Sequence, residues 1–335
     1  MSDVRTWANL PIDERLTILG NIADDKKIHE NSVEKDFWVT MTLKALFSQT
    51  YSRALCFKGG TSLSKGWNLI ERFSEDIDLA IDRHFLGFGD HLGKNQRTKL
   101  RKSSKIFIEE QVAPDLMNAL KAYGLKGCHV SIPETTISDK DPVEIFVHYD
   151  SILPNKHDYV SESVKVEISC RSMMEPVAPL TMCSMIDEAY PSEDFAQEKF
   201  EVATVLPGRT FLEKLFLLHE EFNRPNGCSH IERLTRHMYD VEKMMDHPFA
   251  KEALLNKELY SDIVAHREEF TAWSGLDYSL HKPETIAFVP PASVMHDLQE
   301  DYRKMQEGFI YGDSLPFEKL IERLKILQSY IRTLR

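Results

Sequence analysis

Apolar side chains recur every three or four residues along the first fifty positions, a spacing that predicts helices. Leu19 and Ile22 share one face of a helix that can begin after Pro11. A second helix is predicted over 32–47, again from apolar positions at helical spacing. We therefore expect residues 1–50 to form a helical segment that packs on the domain after it.

The pattern changes after residue 50 to short apolar runs separated by turns, which predicts β-strands. In the clearest run, Ile77, Leu79 and Ile81 alternate with other residues and so share one side of a strand. Asp76 and Asp78 project from the opposite side. The other predicted strands cover 54–57, 128–132, 143–149, 164–169 and 202–206, and a long helix is predicted over 94–123.

From residue 210 the apolar spacing is helical to the end of the chain, apart from breaks at 224–227 and 283–291. These patterns together predict an α+β fold, in which a mixed sheet flanked by helices is followed by a helical C-terminal domain. We place the domains at 1–50, 51–207 and 208–335.

The composition limits the class of protein. The 335 residues include 41 basic and 53 acidic side chains, and the net charge of −12 argues against a generally basic, nucleic-acid-binding surface. Five cysteines without paired spacing disfavour a disulfide framework or a structural zinc site. No apolar run approaches the roughly 18 residues that span a bilayer, and the N-terminus lacks a signal-peptide pattern. We expect a cytoplasmic protein without a membrane partner.

The pair Asp76 and Asp78 is the sharpest chemical feature of the sequence. Two carboxylates at alternate strand positions converge on one point, and their repulsion raises one pKa unless a cation lies between them. Mg²⁺ prefers such oxygen ligands. The alternative, a solvated strand face, poorly explains two acids beside a core strand. A turn upstream exposes backbone N–H groups suited to phosphate, and its residues are Gly59, Gly60, Thr61 and Ser62.

Two segments resemble the signature of minimal nucleotidyltransferases of the DNA polymerase β superfamily: Gly59-Gly60-Thr61 and Arg72-Phe73-Ser74-Glu75-Asp76-Ile77-Asp78. More closely, they resemble the AbiEii-type nucleotidyltransferase toxins of bacterial abortive-infection and type IV toxin–antitoxin systems. Segments 34–39, 210–215 and 233–240 are similar to further parts of that family. The resemblance implies the minimal nucleotidyltransferase fold, with the C-terminal helices completing a nucleotide cleft.

The resemblance also implies an activity. The enzyme would move a nucleoside monophosphate from an NTP to an acceptor hydroxyl with two Mg²⁺ ions, or with Mn²⁺ in their place. The implied acceptor is the 3′ end of tRNA, and the implied role is that of a toxin in antiviral defence. A cognate antitoxin is then expected, which can act without direct contact. Two alternatives stay open: a protein-NMPylating enzyme of the same fold, and a non-catalytic nucleotide-binding regulator.

A third carboxylate on a neighbouring strand is implied by the superfamily, beside Asp76 and Asp78. Glu167 is the first choice, because the alternation of its predicted strand places it on the polar face. Relatives often carry aspartate there, so glutamate is a departure from the pattern. Glu144 and Asp150, which flank an adjacent apolar run, are the alternatives.

Basic side chains of the helical half are expected to contact the triphosphate. Lys214 lies about 60° from the centre of an apolar helical stripe, where it reaches either solvent or, as the resemblance favours, the nucleotide. Arg236 and Asp240 share a polar part of the next helix. That part is either a solvated surface with internal ion pairs or a cleft wall where Asp240 orients Lys214 or an arginine. By resemblance, Arg72 and Ser74 join the nucleotide-binding set, and Lys214 is also a catalytic candidate.

A basic cluster stands out in this acidic chain. Residues 94–105 include six basic side chains and no acidic one. They are Lys94, Arg97, Lys99, Arg101, Lys102 and Lys105. The cluster is either an exposed helix face or a contact for the phosphate backbone of an acceptor RNA.

Overall fold

The computed structural model describes residues 6–153, 162–225, 227–228 and 231–334. The chain divides into two units. The sheet unit comprises Met1–Gly66 and Ser74–Val205. The helical unit comprises Trp67–Phe73 and Leu206–Arg335.

A mixed seven-stranded sheet forms the centre of the sheet unit. Its strands are β1 (Leu55–Lys58), β2 (Ile77–Ile81), β3 (Cys128–Ser131), β4 (Val143–Tyr149), β5 (Ser163–Ser169), β6 (Val177–Met182) and β7 (Phe200–Val205). Their order is β3-β4-β5-β2-β1-β7-β6. The pairs β2–β5 and β1–β7 are parallel, and the other neighbours are antiparallel. Six of these strands are those that the sequence predicts, with ends shifted by one or two residues.

Two details of the strand prediction are wrong. Edge strand β6 was not expected, because only Met182 of its six residues is buried and Pro179 interrupts its pattern. Pairing with β7 therefore fixes its conformation. Asp76 was expected on a strand, but β2 begins at Ile77, where the ladder with β5 also begins.

The described part of the sheet unit contains the α-helices α1 (Ile12–Lys26), α2 (Glu30–Phe47), α3 (Gly59–Thr61), α4 (Lys94–Phe107), α5 (Ala113–Ala122) and α6 (Met185–Ala189). A π-helical turn, Ile108–Val112, joins α4 to α5, so the long helix predicted over 94–123 is present with one local irregularity. Helix α2 covers one face of the sheet, where Trp38 stacks on Tyr149 with 5.0 Å between ring centres. Alternate residues of β4 point to the other face and stay partly exposed.

The helical unit contains α7 (Pro207–Phe222), α8 (Thr235–Met244), α9 (Pro248–Leu255), α10 (Lys257–Phe270), α11 (Met295–Gly308) and α12 (Phe317–Ile331). Met238 and Val241 of α8 are buried, as is Leu234 directly before the helix. No helix in the described part of the chain is both long and apolar enough to cross a bilayer. The predicted α+β class, a mixed sheet flanked by helices, is confirmed.

Candidate active site

Acidic side chains form a row across neighbouring strands of the sheet unit. The parallel register of β2 and β5 places Asp78 beside Glu167, and the antiparallel register of β5 and β4 places Glu167 beside Glu144. Asp76 comes directly before β2, two residues from Asp78. These four residues are called the acid row. The predicted position of Glu167 on a strand next to the aspartates is confirmed.

The two alternatives for the third carboxylate lie at opposite ends of β4. Glu144 belongs to the acid row. Asp150 follows the other end of the strand, where its backbone N–H donates to the carbonyl of Gly127 at 2.9 Å. The register of β4 therefore separates Asp150 from Glu167 by most of the strand's length.

Lysines partly neutralise the acid row. The ammonium group of Lys165 lies 3.2 Å from a Glu144 carboxylate oxygen and also contacts Glu167. Lys140 contacts Glu144 from the loop before β4. Lys165 lies on β5 with Glu167, and Lys140 lies in the loop directly before β4, which carries Glu144. Each lysine is therefore close in sequence to an acid that it contacts. The sequence did not assign them to the site, because a lysine alternating with acids on a strand is also typical of a solvated face.

Asp76 lies in an environment that disfavours its charge. Burial raises the pKa of Asp76, and the neighbouring charge of Glu75 raises it further. Lys165 opposes these effects, and Glu167 adds a smaller rise. The cause is therefore burial and Glu75 rather than the repulsion by Asp78 that the sequence predicts. A cation bound at this carboxylate would favour its charged form.

A divalent metal ion fits the chemistry of the acid row. Within the described part of the chain, no three histidine, cysteine, aspartate or glutamate side chains lie close enough to hold a metal ion as they stand. The carboxylates of Glu167 and Glu144 instead form ion pairs with Lys165. The donor set nevertheless consists of carboxylate oxygens with excess negative charge, which are the ligands that Mg²⁺ prefers. Binding at Asp76, Asp78 and Glu167 would displace Lys165 from Glu167.

The glycine turn lies directly against the acid row. Gly59 has φ +79°, and a Cβ built on it would lie 2.0 Å from Oδ2 of Asp78. Only glycine allows both this backbone conformation and this close approach. Lys58, the last residue of β1, pairs with Asp78 in the sheet and adds a cation beside it. The turn and the aspartate pair, which are separate motifs in the sequence, thus form one site.

The hydroxyl groups of the turn bind the protein itself. The Thr61 hydroxyl contacts the carbonyl oxygen of Asp76 and lies 2.9 Å from the Ser74 hydroxyl. The Ser62 hydroxyl donates to the carbonyl of Gly59 at 2.9 Å, and the Ser62 side chain is fully buried. The helix begins at Gly59. The hydroxyl groups of Thr61 and Ser62 therefore fix the turn.

A buried lysine that the site prediction left out supports the entry to β2. Lys35 of α2 is 1% exposed, lies 3.1 Å from the Glu75 carboxylate and donates to the carbonyl of Ser163 at 2.6 Å. It thereby joins the residue before Asp76 to the first residue of β5. Lys35 acts through these contacts and is a positioning residue.

The neighbours of Lys35 anchor two further segments. Glu34 accepts a hydrogen bond of 2.6 Å from the Ser151 hydroxyl after β4. Asp36 lies 2.6 Å from the Lys65 ammonium group and accepts a 2.7 Å hydrogen bond from the backbone N–H of Met185. Three consecutive charged residues in an otherwise apolar helix were the sequence signal for this role, because charged residues are seldom buried without partners.

A second cluster of charged residues lies within the helical unit. Asp240 accepts hydrogen bonds of 2.7 and 2.8 Å from the guanidinium of Arg72 and lies 2.8 Å from the ammonium group of Lys214. Lys214 also donates to Nδ1 of His237 at 3.2 Å. We call these four residues the ion cluster. Asp240 thus pairs with both Lys214 and an arginine, while its place in the wall of a nucleotide cleft stays a prediction.

Burial and charge act in opposite directions in the ion cluster. Burial alone would raise the pKa of Asp240, but the charges of Arg72 and Lys214 outweigh burial and hold that pKa far below its usual range. Burial, followed by the charge of Lys214, lowers the pKa of His237 to about 3. The carboxylate is therefore ionised and the imidazole neutral at physiological pH.

Three basic residues of the helical unit have distinct surroundings. Lys214 is 6% exposed rather than at a solvent rim, because Asp240 draws it into the unit. Arg233 precedes α8 and has φ +66°. The guanidinium of Arg236 lies 4.4 Å from the centre of the Phe309 ring. Nucleotide binding by Lys214, Arg236, Arg72 and Asp240 stays a prediction.

The basic residues of 94–105 all lie on α4. Arg101 contacts Asp139, while Lys105 lies 3.7 Å from Glu109 and donates to the carbonyl of Ile137 at 3.3 Å. These contacts attach α4 to the loop that leads into β4. The exposed members are Lys94, Lys99 and Lys102, with Arg97 partly exposed.

Comparison with known proteins identifies a family and similar folds. The family model described as nucleotidyl transferase AbiEii toxin, type IV TA system, matches residues 42–323. The nucleotidyltransferase toxin MenT4 from Mycobacterium tuberculosis has a similar fold, with a TM-score of 0.54 and 16% identity over 95% of this chain and 90% of that one. JHP933 from Helicobacter pylori aligns with a TM-score of 0.45 and 15% identity over 90% of this chain and 92% of its own. No curated protein sequence matches significantly.

Proposed function

This chain belongs to the AbiEii family of nucleotidyltransferase toxins of type IV toxin–antitoxin systems, and from that premise we propose its reaction and its acceptor. The enzyme transfers a nucleoside monophosphate from an NTP to the 3′ end of tRNA, with Mg²⁺ or Mn²⁺ bound at the acid row. A cognate antitoxin opposes it without needing to contact it. The main support is the register that sets Asp78 beside Glu167 on adjoining strands.

The reaction exchanges one bond at phosphorus for another. The acceptor hydroxyl oxygen bonds to the α-phosphorus, the bond from that phosphorus to the bridging oxygen breaks, and pyrophosphate leaves. The hydroxyl proton passes to a carboxylate of the acid row. Divalent metal ions held by Asp76, Asp78 and Glu167 would polarise the hydroxyl and offset the charge of the leaving pyrophosphate. Backbone N–H groups beside Gly59 and Gly60, which no Cβ shields, bind the β- and γ-phosphates.

The helical unit supplies cations in this proposal. Lys214 and Arg236 neutralise phosphate charge, and Asp240, which accepts hydrogen bonds from Arg72, holds Lys214 in place. This assignment rests on the family resemblance and on the contacts within the ion cluster.

RNA is the favoured acceptor because of α4. Lys94, Lys99 and Lys102 expose their charges on one helix in a chain of net charge −12. Such a local cluster suits the phosphate backbone of a nucleic acid more than it suits a protein hydroxyl. The helix also contacts the loop before β4, the strand that carries Glu144.

The test is transfer of label from each α-³²P NTP to total tRNA in the presence of Mg²⁺. We expect labelled tRNA with the wild-type protein and none with the double variant Asp76→Ala/Asp78→Ala or with EDTA. The double variant Asp24→Ala/Asp25→Ala, which removes two exposed acids of α1, is the matched control and should retain full transfer.

Other results would redirect the proposal. Label on protein instead of tRNA would identify an NMPylating enzyme. NTP binding without transfer to either acceptor would favour a non-catalytic regulator. Equal transfer by the wild type and the Asp76→Ala/Asp78→Ala variant would contradict the assignment of the acid row.

A further inference from the structure

Three aromatic rings stand side by side on the open face of the sheet. Phe146 and His148 of β4 are 6.0 Å apart with planes 19° from parallel. His148 and His129, which are cross-strand partners on β4 and β3, are 4.5 Å apart at 18°. His129 is exposed, and the other two are partly exposed. We call these rings the ring array.

The ring array shares its sheet face with the acid row. Glu144, Phe146 and His148 alternate along β4 with buried residues, so all three project from the same side. At about 3.4 Å per residue, Phe146 lies roughly 7 Å and His148 roughly 14 Å along the strand from Glu144. Phe146 is also paired across the ladder with Lys165, which contacts Glu144 and Glu167. The three rings therefore lie beyond the acid row on the same sheet face, along β4 and across to β3.

Sheet stability alone is a weak explanation for these rings. Cross-strand aromatic pairs do stabilise sheets, but they do so most where they bury apolar area. Here one ring is exposed on β3, the outermost strand of the sheet. Burial and the neighbouring His129 lower the pKa of His148. The His148 ring is therefore neutral at pH 7 and has an uncharged π-face.

We propose that the ring array stacks the unpaired bases at the 3′ end of the acceptor RNA, so that its terminal hydroxyl is held at the acid row. Bases stack on aromatic side chains with little sequence preference, because every base has a π-face. β3 lies at the edge of the sheet, so a single strand can lie across it without threading. The inference rests on the proposed function, since it takes an RNA end as the acceptor.

The cations near β4 favour a nucleic acid as the occupant. Lys140 and Lys165 border the face at Glu144. Helix α4 joins the loop before β4 through Arg101 and Lys105, and it exposes further lysines. A strand that stacks on the rings therefore has positive charge along the same unit for its phosphates.

The test is the affinity of the full-length protein for a fluorescein-labelled, unstructured RNA octanucleotide, followed by fluorescence anisotropy. We expect His129→Leu and Phe146→Leu each to weaken binding about ten-fold, the scale for loss of one stacked base. His129→Phe keeps a π-face and should bind as tightly as the wild type. Tyr330→Leu removes an exposed ring of α12 and should change nothing. Thermal melting of each variant confirms that it is folded.

Two outcomes would contradict the proposal that the ring array binds RNA. In the first, the wild-type protein does not bind the octanucleotide, and in the second, the leucine variants bind it as tightly as the wild type does. The proposed function is judged separately, by label transfer from NTP. If RNA binding depended on the rings but no nucleotide transfer occurred, the proposed reaction would be contradicted, whereas RNA binding by the ring array would be supported. Transfer to a protein, with RNA binding unaffected by the leucine variants, would contradict the ring array alone.

Discussion

The acid row of the sheet unit and the ion cluster of the helical unit are both made of charged side chains, but their charges are balanced differently. In the acid row, Lys140 and Lys165 form ion pairs with Glu144 and Glu167, and these four side chains are 24–30% exposed. In the ion cluster, the single carboxylate of Asp240 forms ion pairs with both Arg72 and Lys214. These three side chains are at most 8% exposed.

The pKa values of Asp76 in the acid row and of Asp240 in the ion cluster shift in opposite directions. Burial and neighbouring acids raise the pKa of Asp76, whereas two cations hold the pKa of Asp240 well below its usual range. The acid row therefore keeps an unsatisfied affinity for cations, and the ion cluster has its affinity satisfied within the fold. We expect substitutions in the acid row to cost activity and the substitution of Asp240 in the ion cluster to cost stability.

The largest effect on activity is expected from Asp78→Asn. Removal of one carboxylate at the reacting centre should lower the rate of nucleotide transfer about 10³-fold, the upper range for loss of a single electrostatic stabiliser. The melting temperature should stay the same or rise, because repulsion within the acid row falls. Asp25→Asn on the exposed face of α1 is the control for both readouts. A variant that is unstable yet fully active would contradict the comparison.

The largest effect on stability is expected from Asp240→Asn. Arg72 would stay 3% exposed and Lys214 6% exposed without their shared counter-charge, which typically costs about 3–5 kcal/mol. Urea unfolding measures the loss. Glu322→Gln breaks the exposed pair with Lys319 on α12 and should have no measurable effect. Equal stability of the two variants would show that the ion cluster is not structural.

Gly59→Ala tests the contact between the turn and the acid row, with a smaller effect. The new methyl group would meet Oδ2 of Asp78 at 2.0 Å, and alanine is strained at φ +79°. Displacement of that carboxylate by about 1 Å should lower transfer roughly 100-fold. Gly89→Ala, where nothing lies within 4 Å, is the matched control and should be neutral. Undiminished transfer by Gly59→Ala would mean that the turn does not position Asp78.

The sequence predicted the parts of the acid row but not how they meet. Alternation of apolar and polar residues is a local signal, so it placed Asp78 and Glu167 each on a polar strand face. Their adjacency depends on the pairing of β2 with β5, which brings together residues far apart in the chain. Family resemblance supplied that link. The close approach of Gly59 to Asp78 had no local signal at all.

The errors at Lys214 and in β6 have one physical cause. A helical stripe gives the direction of Lys214 on its own helix, but its burial is decided by Asp240 on another helix. In the same way, β6 has little apolar pattern and takes its conformation from pairing with β7. Lys35 escaped the site prediction because its partners, Glu75 and Ser163, come from two distant segments. Contacts between elements decide each of these features.

The last prediction distinguishes the two units by the effect of pH on the free energy of unfolding. Burial, followed by the charge of His281, lowers the pKa of His219 to about 4, and burial lowers that of His237 to about 3. Both histidines are neutral in the folded helical unit but become charged below pH about 6.5 when unfolded. Stability should therefore fall as pH drops from 6.5 toward 4, by up to about 1.4 kcal/mol per pH unit for each histidine.

Asp76 has the opposite sign, because a raised carboxyl pKa favours the folded state at lower pH. Urea unfolding at pH 7.5, 6.0 and 5.0 measures the slope, and His237→Gln, which keeps a neutral polar side chain, should flatten it. Asp76→Asn should leave the decline with falling pH in place and make it slightly steeper, since it removes the only one of these three groups that gains from acid. If His237→Gln left the slope unchanged, the acid sensitivity would have to come from groups outside the ion cluster, and the contrast between the two clusters would rest on charge balance alone.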